Sequence, residues 1–187
     1  KSLTLSEGKI KFDKNTTNYT VNVPFKTKNI KVNAIPEDSK SRVEINEIKN
    51  RSIAAFEKVG VSSDNAKIIT EVLLETEMRG VFTHGFMRLE RYINCIRSGG
   101  IKTDGNYEVA YDSPSWASID GKDNLGIVIS YKAMKLAMEK AKKTGVGIVN
   151  VKGSHHFGAA GYYTSMCADN DMVGMSMSNG DILIAAT

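Results

Sequence analysis

All three histidines of the chain fall in two short motifs, Gly80-Val81-Phe82-Thr83-His84-Gly85-Phe86-Met87-Arg88 and Gly153-Ser154-His155-His156-Phe157-Gly158. Imidazole titrates nearer neutrality than any other side chain, so a modest environment suits it to donate or accept a proton. Thr83 sets a hydroxyl beside His84, and Gly85 lets backbone or ligand come close. Arg88 lies four residues beyond His84, so on a helix the two would share a face. A guanidinium fork pairs with a carboxylate through two bonds and stays charged. A proton donor one turn from a carboxylate clamp is what a 2-hydroxy or 2-keto acid requires. By spacing alone, a purely structural histidine beside a turn remains open.

The second motif follows the apolar stretch Val146–Val151 and runs into Gly158-Ala159-Ala160-Gly161. The start of a helix presents unpaired backbone N–H groups to anions such as a phosphate or pyrophosphate. His156 would stand at the C-terminal end of a strand, where α/β folds gather their ligands. Tight packing of a strand-to-helix turn would select the same small residues, so both readings stand. No G-x-G-x-x-G fingerprint is present, and Gly145-Val146-Gly147 precedes a strand rather than opening a helix. Adjacent His155 and His156 point apart in extended chain, and neither H-E-x-x-H nor H-x-x-x-H spacing occurs. A metal site is therefore not expected. Nor is serine-hydrolase chemistry, since there is no G-x-S-x-G elbow.

The elements that must position these residues fall into two groups. Up to Ile45 the chain reads as short strands at Lys9–Phe12, Tyr19–Val23, Ile30–Ala34 and Arg42–Ile45, with β-branched or aromatic members and period-two alternation in the middle pair. Turn-forming residues such as Asp13-Lys14-Asn15 and Pro36-Glu37-Asp38 separate them. After Ile45 the period changes. Ile48, Ile53, Phe56 and Val59 predict a short amphipathic helix ending near Gly60. Ser62 or Ser63 can cap a second, with Ala66, Ile69, Val72, Leu73 and Met78 at helical spacing up to Gly80. Phe86, Leu89, Tyr92, Ile93 and Ile96 predict a third, closing at Gly99-Gly100. Two strands around Ser113-Pro114 come next, within Tyr107–Asp120. A helix from about Leu125 to Lys143, a buried strand at Val146–Val151, a helix from about Gly158 to Asn170 and a strand at Val173–Ser178 follow. The fold class expected is α/β: a helical N-terminal subdomain and part of a non-Rossmann mixed sheet, preceded by a short all-β segment.

Of 187 residues, 41% are hydrophobic and 25% charged, ordinary proportions for a globular protein. No apolar run approaches a membrane span, so no membrane partner is expected. The formal charge of +4 resides in the first 50 residues, with ten Lys and Arg against six Asp and Glu; the remainder carries fifteen of each. Single lysines spread among polar residues read as a solubilising surface, and no nucleic-acid partner is expected. Cys95 and Cys167 are far apart and make no disulfide framework, which fits reduced thiols and a cytoplasmic location.

With these motifs in view, residues 46–187 resemble the N-terminal part of the malate/L-lactate dehydrogenase family of the second type, which includes ureidoglycolate and sulfolactate dehydrogenases. The marks are Arg79-Gly80-Val81-Phe82-Thr83-His84-Gly85 with Arg88 and Tyr92, then Gly99-Gly100, Asp120-Gly121 with Asn124-Leu125-Gly126, and Gly145-Val146-Gly147. Ser154-His155-His156-Phe157-Gly158 with Gly161-Tyr162-Tyr163, and Gly174 through Asn179, complete the series. The resemblance implies hydride transfer between NAD or NADP and a small 2-hydroxy or 2-keto acid such as malate or lactate, in a homodimer when complete. His84 and His156 would be catalytic, with His84 exchanging a proton at the substrate oxygen. Arg88, Thr83 and Gly180 would bind substrate, Thr83 standing where the family usually has Ser and Gly180 where it has a hydroxyl residue. His156, Phe157, Gly158, Ala159 and Ala160 would contact the cofactor. The family's later glycines and its aspartate that orients the catalytic histidine are not reached, so a truncated, inactive enzyme is expected from these residues alone.

Residues 1–45 resemble something else. Gly8-Lys9-Ile10-Lys11-Phe12-Asp13, followed by Asn15-Thr16-Thr17-Asn18-Tyr19-Thr20-Val21, is similar to the first part of a bacterial cadherin-like β-sandwich domain. The expected organisation is therefore a partial cadherin-like segment at 1–45 and a dehydrogenase-like part at 46–187. The alternative expectation is an extracellular binding or spacer protein whose dehydrogenase-like part does no catalysis.

Overall fold

The computed structural model describes residues 2–13, 15, 21–22, 24, 32–35 and 45–179. The chain divides into two compact units, Lys1–Asn46 and Glu47–Thr187. In the first, strands β1 (Ser2–Leu5) and β2 (Val32–Ile35) pair antiparallel, with Ser2 opposite Ile35 and Leu5 opposite Val32. Lys9–Phe12 is described and forms no strand, because β-branched and aromatic residues make no strand without a backbone ladder to join. Tyr19–Val23 and Arg42–Ile45 lie wholly or mostly outside the described residues, as does the beginning of Ile30–Ala34.

The second unit is built as expected from helices first. Helix α1 spans Ile45–Glu57, beginning just ahead of the division between units, and α2 spans Ser63–Met78. Ser62 caps α2, its hydroxyl accepting from the Asn65 amide at 3.4 Å. Ala66, Ile69, Val72 and Leu73 recur at the helical period, and all four are fully buried. Helix α3 (Leu89–Arg97) turns Tyr92, Ile93 and Ile96 to the same core. Leu125 and the first turn of α4 (Gly126–Thr144), with Ile127 and Val128, close it. Each such aliphatic side chain contributes about 1.5–3 kcal/mol by leaving water. Within this core Ser52 and Thr70 satisfy one another through their hydroxyls at 3.0 Å.

The sheet is smaller. Strands β3 (Glu108–Asp112) and β4 (Trp116–Asn124) form an antiparallel hairpin about Ser113-Pro114. Helix α4 then crosses to β5 (Ile148–Ser154), which runs parallel to β4. The order is β3-β4-β5. One face is covered by α4, where Ile119, Ile129 and Ala133 make a second, minor core. Helix α5 (Ala160–Ala168) follows β5.

Two expectations are corrected here. The strand near Val146–Val151 begins at Ile148 and is not buried: Ile148 is 60% exposed and Val146 53%. Its apolar run reads as a central strand, yet among the described residues β5 is an edge. Val173–Ser178 forms no strand either. Val173, Met175 and Met177 all stand exposed on alternate positions, with no described strand to pair with. No helix among the described residues is long and apolar enough to cross a membrane.

Candidate active site

His84 does not sit on an α-helix. Two 3-10 turns, Phe82–His84 and Phe86–Arg88, bridge α2 and α3, broken at Gly85 with φ −88° and ψ −141°. The shared helical face expected of His84 and Arg88 is therefore replaced by a folded loop. Arg88 turns back so that its Nε donates to the Thr83 carbonyl at 2.6 Å. The Thr83 hydroxyl meets His84 Nδ1 at 2.9 Å. Three of the four residues that matter here thus touch through side chain or backbone rather than through helical register.

The fourth is Glu77, which the sequence reading missed. Its Oε2 accepts from the Phe86 amide at 2.9 Å, pinning the break between the two turns. Gly85 makes this possible, since a Cβ there would lie 2.1 Å from that same oxygen. A signal did exist in the sequence. Glu77 occupies the last turn of α2, where the helix dipole disfavours a carboxylate. That placement costs about 0.3–1 kcal/mol, which the bond to the next loop offsets here.

His155 and His156 leave the sheet where β4 ends, the His155 amide donating to the Asn124 carbonyl at 3.4 Å. Their backbone passes directly over the start of α4. A Cβ on Gly126 would lie 1.9 Å from the His155 carbonyl oxygen and 2.5 Å from that of His156, so only glycine fits beneath the turn. The Nε2 of His155 is buried without a hydrogen-bond partner among the described residues. The His156 ring stacks against His84, with centroids 5.3 Å apart and 28° between planes. Its Nδ1 lies 2.6 Å from the Tyr92 hydroxyl and 3.3 Å from the Gly158 amide. Two motifs far apart in sequence are thereby joined, with α3 supplying the contact.

Electrostatics at His156 follow from this crowding. Burial of the ring, then the positive charges of Arg88, His84 and Arg91, depress its pKa from 6.5 to about 4. It is neutral at pH 7. Desolvation likewise drives the Tyr92 phenol well above its ordinary value, so it keeps its proton.

The cofactor residues expected from sequence follow directly. Phe157 stacks face to face on Tyr163 at 5.5 Å, and the Tyr163 hydroxyl donates to the Phe157 carbonyl. Gly158 is buried with φ +79°, a conformation that favours glycine. Ala159 is the N-cap of α5 and offers no side-chain hydrogen bond, while Ala160 begins the helix. Arg79 braces this turn from α2, donating to the Gly161 carbonyl at 3.3 Å and the Ser165 hydroxyl at 2.8 Å while paired with Glu75. Gly180 lies outside the described residues. Surface grooves lined by Lys135 and Glu139, and by Glu90 and Asn94, include neither His84 nor His156. The site is thus defined by contacts between its residues.

Comparison with known proteins gives the following. A family model described as malate/L-lactate dehydrogenase matches residues 43–187. A second, described as a cadherin-like beta sandwich domain, matches residues 1–76 and overlaps the first. A malate dehydrogenase of Pyrococcus abyssi is 42% identical over 146 residues, covering 78% of this chain and 40% of that protein. The solved structure of the malate dehydrogenase from Pyrococcus horikoshii OT3 superimposes with a TM-score of 0.66 at 42% identity, over 67% of this chain and 36% of that one. Among more distant relatives, a ureidoglycolate dehydrogenase (NAD(+)) of Escherichia coli is 27% identical over 68% of this chain and 36% of its own length. A (2R)-3-sulfolactate dehydrogenase (NADP(+)) of Chromohalobacter salexigens is 29% identical over 76% and 43%. The chain spans about 40% of the length of the curated relatives it matches.

Proposed function

Because the chain belongs to the malate/L-lactate dehydrogenase family, we propose that residues 46–187 supply the acid-binding and proton-handling part of a 2-hydroxyacid dehydrogenase that uses NAD or NADP. The observation that most supports this is the stacking of His84 on His156, with Arg88 in the same loop. Arg88 commits its Nε to the Thr83 carbonyl, which leaves its terminal amino groups to grip the carboxylate of a small acid such as malate or lactate. His84, oriented by Thr83, exchanges the proton at the substrate's C2 oxygen. His156, neutral and beside it, hydrogen-bonds the same oxygen. Gly180 is assigned to the substrate side as well. The turn from Phe157 to Ala160 fits an anionic cofactor, because α5 begins with an uncapped N-terminus and no bulky side chain between Gly158 and Gly161. A nicotinamide dinucleotide held through this turn would supply hydride exchange at the substrate's C2.

The same reading takes residues 1–45 as part of a separate cadherin-like module, supported by the β1–β2 pairing and the second family match. It also implies a cytoplasmic homodimer. The test is cofactor titration followed by nicotinamide fluorescence, in the chain and in protein extended to the length of its relatives. Saturable enhancement by NADH or NADPH that is lost in His156→Ala supports the reading. So does a His84→Ala variant that binds cofactor but does not turn over. No enhancement and no turnover from folded, extended protein would overturn it in favour of a non-catalytic spacer.

A further inference from the structure

Two polar groups converge on one nitrogen of His156. The Gly158 amide reaches Nδ1 at 3.3 Å and the Tyr92 hydroxyl reaches it at 2.6 Å. A phenol can donate or accept, but a backbone N–H can only donate. Nδ1 must therefore offer a lone pair, and with the amide already pointing at it, the phenol is left to donate as well. A neutral imidazole carries one N–H, which then lies on Nε2. Among the described residues His84 has no such lock, its Nδ1 meeting the rotatable hydroxyl of Thr83.

We infer that Tyr92 is a positioning residue which, with the Gly158 amide, fixes His156 as the Nε2–H tautomer, so that this ring presents a donor and not a lone pair to the substrate oxygen. Only the identity of that oxygen rests on the dehydrogenase reading; the tautomer does not. Tyr92 is suited to the task by its burial on α3, 4% exposed, in a helix whose other inward residues, Ile93 and Ile96, anchor it in the main core. The hydroxyl is thus delivered from a rigid element to a ring on a loop, the arrangement by which supporting groups set tautomers.

Nitrogen-detected NMR of the 15N-labelled full chain at pH 7 tests this, with His156 assigned by the signals lost in His156→Gln. The expected result is a protonated Nε2, an unprotonated Nδ1, and a coupling across the hydrogen bond between Nδ1 and the Tyr92 hydroxyl proton. In Tyr92→Phe the Nδ1 signal should move toward that of an unbonded ring nitrogen. In extended protein the same change should lower kcat about tenfold, the loss of one good hydrogen bond, with KM within about twofold. A His156 protonated at Nδ1 or at both nitrogens in the unsubstituted chain overturns the inference, whether or not Tyr92→Phe folds. An Nε2–H ring in a protein without turnover would overturn the dehydrogenase reading and leave the tautomer standing.

Discussion

The two histidine-bearing turns are held in different ways. The turn of His84 is tied by side chains: the Glu77 carboxylate on the Phe86 amide, the Arg88 guanidinium on the Thr83 carbonyl, and the Thr83 hydroxyl on His84. The turn of His156 also rests on backbone, its carbonyls lying directly over Gly126, with side-chain ties from Tyr92, Tyr163 and Arg79 beside that contact. Side-chain ties can re-form around a change, at a cost of roughly one hydrogen bond each. Backbone contacts cannot be moved by a rotamer. The ties of the first turn can therefore be loosened one side chain at a time, while the second also depends on a backbone contact that no rotamer relieves.

The harshest way to break this contrast is Gly126→Ala. The added methyl meets two carbonyl oxygens and no flexible side chain, so the expected cost is about 3 kcal/mol of stability with loss of the Tyr92–His156 contact. Urea denaturation measures the first and tyrosine–histidine NMR contacts the second. A cost under about 1 kcal/mol would mean that the second turn yields as readily as the first. Glu77→Ala comes next, at about 1–1.5 kcal/mol, because the Phe86 amide loses its acceptor in a half-buried place. Glu77→Gln keeps an acceptor oxygen and should cost less than half as much. Equal losses in the two variants would show that the charge, and not the bond to the loop, is what matters.

Sequence made much of this legible, and unevenly. Helices α1 to α4 follow from apolar residues at the helical period, since Ile69, Val72 and Leu73 or Tyr92, Ile93 and Ile96 leave a helix one face to bury. The hairpin about Ser113-Pro114 follows from turn chemistry. Strand burial did not follow, because Val146–Val151 and Val173–Ser178 report a preference for neighbours and cannot say whether those neighbours are present. At the site, His84, Arg88 and His156 stand out by residue type. Their geometry depends on Glu77, Gly126 and the Tyr92 hydroxyl, whose parts are played across long sequence separations. Tyr92 reads from sequence as a core residue, which it is; that its hydroxyl ends on an imidazole is a fact of packing.

Acid sharpens the comparison further, because the second turn holds the His156 ring in a setting that resists charging. The folded-state pKa of His156, about 4, lies below the 6.5 of an unperturbed histidine. The unfolded chain thus takes up the proton first as pH falls. His156 contributes its stability in full above about pH 6.5, and that contribution drains away down to about pH 4. The ring is faced by Tyr92, Arg88 and Arg91 from α3 and its preceding turn, and by His84. Since the residue as a whole is exposed, solvent screening leaves roughly 1 kcal/mol of the effect. His156→Gln should flatten the stability profile between pH 6.5 and 4 by that amount, and an unchanged slope would place the ring in a freely solvated setting.

The smallest expected effect falls on the first turn. Thr83 is exposed, and its hydroxyl meets His84 Nδ1 at 2.9 Å. Thr83→Val keeps the shape and removes that bond, so stability should change by less than about 0.5 kcal/mol. Turnover of extended protein should still drop severalfold, because a His84 ring released from the hydroxyl samples orientations that miss the substrate oxygen. Thr83→Ser restores the hydroxyl and should restore the rate. If Thr83→Val instead costs stability in proportion to activity, the hydroxyl holds the loop and not the ring, and the adjustable turn is stiffer than its side-chain ties imply.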